Sequence, residues 1–233
     1  MTFLSFALVW AAFCAPAGER LDPVVEGALG VGAGAAWWAL HRSHASRVET
    51  SCPCDRADIN PLDRFAVDAD FALGEPLADG LVGITVAGAG ALAAVAAPDL
   101  EMGVGDAALV LQSAALAGLV TQIAKTGFGR PYPYLVRSGH APARLADGVN
   151  YASFWSGHTA VPMAAAVTLA GLLDRRRPSS AWRFVAWSVG PALALAAGGL
   201  QISAGNHYPT DVIIGAAVGA AVGLGQPWLR FDW

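Results

Sequence analysis

Charge is what this chain has least of. Only 14% of its 233 residues are Asp, Glu, Lys or Arg, against about a quarter in average globular chains. So few charges argue against an ordinary water-soluble surface. The net charge is −4, and no basic stripe interleaved with aromatics occurs, which argues against a nucleic-acid partner. Cysteine is scarce as well, at three residues. Cys52 and Cys54 stand as Cys-Pro-Cys in a polar stretch, too few ligands for a structural zinc. They read either as a strained redox pair or as two independent thiols, and no metal or cofactor is expected. Cys14 follows Phe13 rather than a small residue, so no lipoprotein anchor is expected. No Lys or Arg precedes the apolar stretch 3–15, which runs into Ala15-Pro16-Ala17. That segment, 1–17, reads either as a signal peptide or as an uncleaved short helix. Residues 18–233 then form one domain.

Apolar residues are what the chain has in excess: 55% of it is hydrophobic, with a mean hydropathy of +0.47. They fall in runs near 24–40, 79–98, 104–124, 158–173, 181–202 and 211–228. The runs lack the period-2 alternation of half-buried strands and are rich in alanine, a helix former. Most approach the ~20 residues that cross a bilayer. The expected fold is therefore all-α, a membrane-embedded bundle of about six helices. The run 158–173 is short, about 24 Å at ~1.5 Å per residue, which implies a tilted helix or a partly immersed bundle. Gly215, Gly219 and Gly223 recur every four residues and mark a face for close helix contact. The Gly30-Val31-Gly32-Ala33-Gly34 string lacks the strand–turn–helix context of a dinucleotide loop and is read as packing.

Polar segments separate the runs at 41–78, 125–157, 174–180 and 203–210. Asp174-Arg175-Arg176-Arg177-Pro178 is assigned to the cytoplasm by the positive-inside rule. Counting alternate spans from there brings Lys125, Ser156-Gly157-His158 and His207 to one membrane face, the outer one. The first third conflicts with this scheme. His41, Arg42, His44 and Arg47 suggest a cytoplasmic loop, whereas alternation puts 41–78 outside.

Those convergent residues are the parts of a phosphoryl-transfer site. His207 is the candidate nucleophile, and Asp211, four residues on, the group that orients it. A spacing of four puts both on one face if a helix has begun at His207, and Pro209 suits the first helical turn. His158 is the candidate general acid for the leaving oxygen. Ser156, the amides of Gly157 and His158, and the helix dipole would cradle phosphate oxygens. Lys125 and Arg130 would supply positive charge, Arg130 as a planar fork.

Lys125 to Pro133, Ser156-Gly157-His158 and the run His207 to Asp211 together resemble the type 2 phosphatidic acid phosphatase superfamily. That superfamily also holds vanadium haloperoxidases and bacterial acid phosphatases. Its pattern is K-x6-R-P, then P-S-G-H, then S-R-x5-H-x3-D, and the resemblance covers roughly 104–228 in the same order. It implies a helical bundle, a phosphohistidine mechanism without a metal, and a lipid phosphate substrate among membrane lipids. Four positions depart from it. Tyr132 stands at the first arginine position, Gln201 at the second with Leu200 before it, and Trp155 replaces the proline before Ser156. Losing one donor to a developing oxyanion costs about 2.7–4 kcal/mol. The reading is thus a membrane phosphatase of lipid phosphomonoesters or diphosphates, in a bacterial inner membrane with its site facing the periplasm. The alternative is a weak or silent lipid-phosphate binder on the same scaffold.

Overall fold

The computed structural model describes residues 21–50, 55–137 and 142–231. The expectations for the segment 1–17 and for Cys14, Cys52 and Cys54 lie outside the described residues. Every regular element among those described is helical. Six helices are long: α1 (Pro23–Arg42), α2 (Gly74–Ala96), α3 (Leu100–Phe128), α4 (Gly157–Arg176), α5 (Trp182–Ser203) and α6 (Pro209–Arg230). Each apolar run falls on one of them.

Local chemistry sets their ends. Asp22 caps α1 by accepting from the amides of Val24 and Val25, with Pro23 in the first turn. Asp99 caps α3 through the Met102 amide at 2.9 Å. Gly129 ends α3 in the left-handed region, φ 55°, a conformation that glycine adopts without steric cost.

Helices α2, α3, α5 and α6 are long and apolar enough to cross a membrane, so the chain is a membrane-embedded helical bundle. Large apolar side chains stand on their outer faces: Ile84 and Val95 on α2, Trp182 and Phe184 on α5, Ile213 and Trp228 on α6. Helix α4 is different. It is buried without a break from Thr159 to Ala170 and touches α2, α3, α5 and α6. The short apolar run is thus the central helix, and its full 20 residues span about 30 Å. Alanine and threonine serve there because the helix faces protein on all sides and needs small volume more than lipid solubility.

The small-residue face of α6 meets this core. A β-carbon added at Gly215 would lie 2.6 Å from the Ser156 carbonyl, and one at Gly223 2.7 Å from that of Ala164. At Gly219 it would run into the Ala160 carbonyl. Backbone contact at this range fits the expected role of the stripe. Gly219→Val should therefore overpack the α4–α6 seam and destabilise the protein by about 1–3 kcal/mol, read as a lowered unfolding temperature in detergent. The glycines near residue 32 lie within α1, not on a loop, and Gly30 faces Gln112 of α3.

The chain runs alternately up and down. One end gathers the last turns of α1, α3 and α5 with the first turns of α2, α4 and α6. The opposite end is tied by two buried pairs, Glu26–Arg230 and Asp106–Arg176, each with a contact of 2.9 Å. This order fixes which end of the bundle the first third shares. Helix α1 lies along α3, and His41 Nδ1 sits 3.3 Å from Gln122 Oε1. The basic residues after α1 thus share an end with Lys125 and both candidate histidines. Within the arginine run after α4, Arg176 turns inward onto Asp106, while Arg177 donates to the Ala96 carbonyl at 2.8 Å.

Candidate active site

The loop between α5 and α6 delivers His207. Gly205 turns the chain at φ 73°, where a β-carbon would lie 2.5 Å from the Ala69 carbonyl. The amides of Asn206 and His207 then both donate to the Gln201 carbonyl. Helix α6 begins two residues later than the four-residue spacing required. Tyr208 is its N-cap and Pro209 its first residue, so His207 precedes the helix rather than sharing a face with Asp211. Asp211 folds back instead, and its Oδ2 accepts from the Tyr208 amide at 3.0 Å.

That carboxylate is pinned on every side and has no exposure. Ser153 Oγ donates to Oδ2 at 2.5 Å, and Arg130 Nη1 donates to Oδ1. His207 Nδ1 stands 3.5 Å from Oδ2, an ion-pair distance longer than a hydrogen bond, and makes no other polar contact among the described residues. Burial pushes the His207 pKa down to about 4, helped by Lys125 and His158 and opposed by Asp211. The ring is therefore neutral at ordinary pH, with an unprotonated nitrogen available.

His158 enters from the first turn of α4. Its ring centroid lies 6.2 Å from that of His207, and Tyr132 packs edge-on to His207 at 6.0 Å. His158 Nε2 is 2.9 Å from Asp79 Oδ1 on α2. Lys125, in the last turn of α3, donates to the Ala152 carbonyl and faces the Tyr132 ring. Lys125, Tyr132, Gly157, His158 and Asp79 line a cleft of about 400 Å³, closed toward α1 by Trp37, His41 and His44. A more open depression of about 740 Å³, lined by Arg47, Phe128, Arg130 and Phe154, contains neither histidine.

Five of the seven residues singled out in the sequence, Lys125, Gly157, His158, His207 and Asp211, gather at this cleft or directly behind it. The other two point elsewhere. Arg130 does not reach between the histidines. Its Nη1 binds Thr210 Oγ1 as well as Asp211, its Nη2 binds Asp63 Oδ2 at 2.7 Å, and its guanidinium lies 4.0 Å over the Tyr208 ring. Ser156 is fully buried, and its Oγ accepts from Thr159 Oγ1 at 3.2 Å. Gln201, at the second departing position, is also buried. Its Oε1 accepts from Asn206, and its Nε2 has no partner among the described residues.

A family model described as the PAP2 superfamily matches residues 106–233. The match takes in more than half of the chain, including Lys125, Arg130, Tyr132, Ser153, Ser156, Gly157, His158, His207 and Asp211. The chain belongs to the PAP2 superfamily. No curated protein and no solved structure matches it. Membership puts the chain, at a coarse level, among hydrolases of phosphate esters.

Several residues of the site lie outside the superfamily pattern quoted above. Asp63 has no exposure, and it accepts from the Thr210 amide, Thr210 Oγ1, Arg130 and Asn60. Burial alone would raise its pKa, but these bonds outweigh it and hold the carboxyl below its usual range. Nothing in the spacing of Asn60-Pro61-Leu62-Asp63 announces a contact with α6. Asp79 did carry a signal: it is a carboxylate at the edge of an apolar run, where an ionisable group is expensive.

Proposed function

We propose that this PAP2 superfamily member hydrolyses a lipid phosphomonoester or diphosphate through a phosphohistidine at His207. The observation that carries the reading is the pair of histidines, 6.2 Å apart, with His158 and Lys125 lining the cleft and His207 buried behind them. His207 attacks phosphorus with a ring nitrogen, and the bond from phosphorus to the leaving oxygen breaks. His158 gives that oxygen its proton. Water then attacks the phosphohistidine, and His158, now neutral, takes a proton from it. Phosphate leaves, and both histidines return to their starting states.

Lys125 and the first amides of α4 hold the phosphate oxygens, since a helix N-terminus attracts anions. Arg130 serves through Asp211 rather than on the substrate, because Nη1 is already bonded to Asp211 and Thr210 and Nη2 to Asp63. Ser156 shapes the turn that aims those amides. Acyl chains of the substrate lie beside the apolar faces of the bundle. With the arginine-bearing turn after α4 in the cytoplasm, the cleft opens to the periplasm of a bacterial inner membrane.

Phosphate release from a short-chain lipid phosphate in mixed micelles tests this directly. Protein quenched in alkaline detergent should carry label from the substrate's phosphate in an acid-labile, base-stable bond. The competing reading is a lipid-phosphate binder with little turnover, favoured by the commitment of Arg130 and the neutral Gln201. Saturable binding of the lipid without release or labelling would decide for it.

A further inference from the structure

Asp79 makes a second histidine–aspartate pair, and the two pairs are built differently. Asp211 is inaccessible and held by three neighbours besides His207. Asp79 side-chain exposure is 62%, and the hydrogen bond described for its carboxylate is the one to His158. His207 sits in the interior, whereas His158 is about one-third exposed at the cleft. Groups of one type placed in such opposed surroundings are suited to opposite roles.

A carboxylate in an anion-binding cleft repels the ligand. It is tolerable there if a cation answers it, and His158 is the group within bonding distance. Lys125 from α3, His207 from the α5–α6 turn and Glu75 from one turn earlier on α2 also face His158. Burial disfavours a charge on the ring and Lys125 opposes it as well, while the two acids of α2 act against both. The bond to Asp79 occupies Nε2 and leaves Nδ1 as the nitrogen that gives up a proton.

We infer that Asp79 is the positioning residue of the general acid, fixing the His158 ring through Nε2 for proton delivery to the leaving oxygen. The inference rests on the phosphatase reading above. Its signature is dependence on the leaving group. A leaving oxygen of high basicity needs the proton as the ester bond breaks, whereas p-nitrophenolate departs without it. An α2–α4 tie without chemical purpose would make no such distinction.

The test compares an alkyl phosphate with p-nitrophenyl phosphate, using the full chain in detergent and the near-isosteric Asp79→Asn variant. The expected loss in kcat on the alkyl ester is about tenfold to hundredfold, part of the ~10²–10⁴ that acid catalysis supplies. On the nitrophenyl ester the variant should stay close to wild type. His158→Ala should show the same pattern with a larger loss. Equal losses on both esters would reduce Asp79 to a structural tie, and no loss on either would remove its role. Unchanged unfolding temperature in Asp79→Asn separates both outcomes from misfolding. If the wild-type protein turned over neither ester, the phosphatase reading would fall first and this inference with it.

Discussion

His207→Ala is expected to lower phosphate release by on the order of 10⁴-fold or more, as deletion of a nucleophile does in covalent catalysis. At 1.36 kcal/mol per decade this is at least about 5.5 kcal/mol of lost transition-state stabilisation. His207 is 2% exposed, with its Nδ1 beside a carboxylate that is itself pinned by Ser153, Tyr208 and Arg130. His158, the other histidine of the pair, has in Asp79 a partner that is largely exposed. The variant should still bind the lipid, because Lys125 and the α4 amides are untouched. Release equal to that of the wild type would end the phosphohistidine reading.

The same burial makes a prediction about pH. An unperturbed histidine nucleophile would lose activity below about pH 6.5. His207, with its pKa lowered to about 4, should keep the acid limb of kcat/KM near pH 4. Stability moves the other way. Between about pH 6.5 and 4 the unfolded chain takes up a proton at this residue that the fold excludes, so stability falls as pH drops through that window. A high acid limb in kcat/KM would mean that the ring is more open to water than its position implies.

The sequence was legible where function is written in local strings or in long apolar runs. Six runs became six helices because length and composition alone decide whether a helix suits a bilayer. The glycine stripe of α6 was legible for a similar reason, since a four-residue period fixes a face whatever lies opposite. Helix α4 was misjudged in length because its interior position favours alanine and threonine over strongly apolar residues. The side of the 41–78 segment was ambiguous because the first third was read by charge, and His41 and His44 turned out to line a cleft. Arg130 was the main misplacement. Its sequence neighbours suggest a phosphate ligand, but its partners stand 67 to 81 residues away in the chain. No local pattern reports contacts at that separation, and Asp63, which reaches Thr210 across 147 residues, was invisible for the same reason.

Arg130→Ala should then be the most damaging change for the fold around the site. The guanidinium is 25% exposed and bridges two carboxylates that have no exposure at all. Removing one partner of a buried ion pair typically costs about 3–5 kcal/mol, and access of water to the arginine favours the lower end, about 3 kcal/mol. The loss should be coupled to Asp63. Adding Asp63→Asn to Arg130→Ala removes one of the two stranded charges, so the double variant should regain stability, with an interaction of about 0.5–3 kcal/mol. Arg130→Lys should recover only part, since a single ammonium cannot span both acids in the geometry of a planar fork. Kinetics separate positioning from binding. If Arg130 acts through Asp211, the lysine variant loses kcat while KM for the lipid changes little, because the ring of His207 is less well held. If it held phosphate directly, KM would rise with kcat preserved. The bonds to Asp63, Thr210 and Asp211 favour the first result, in which two acids organise the arginine and the arginine organises the nucleophile's carboxylate.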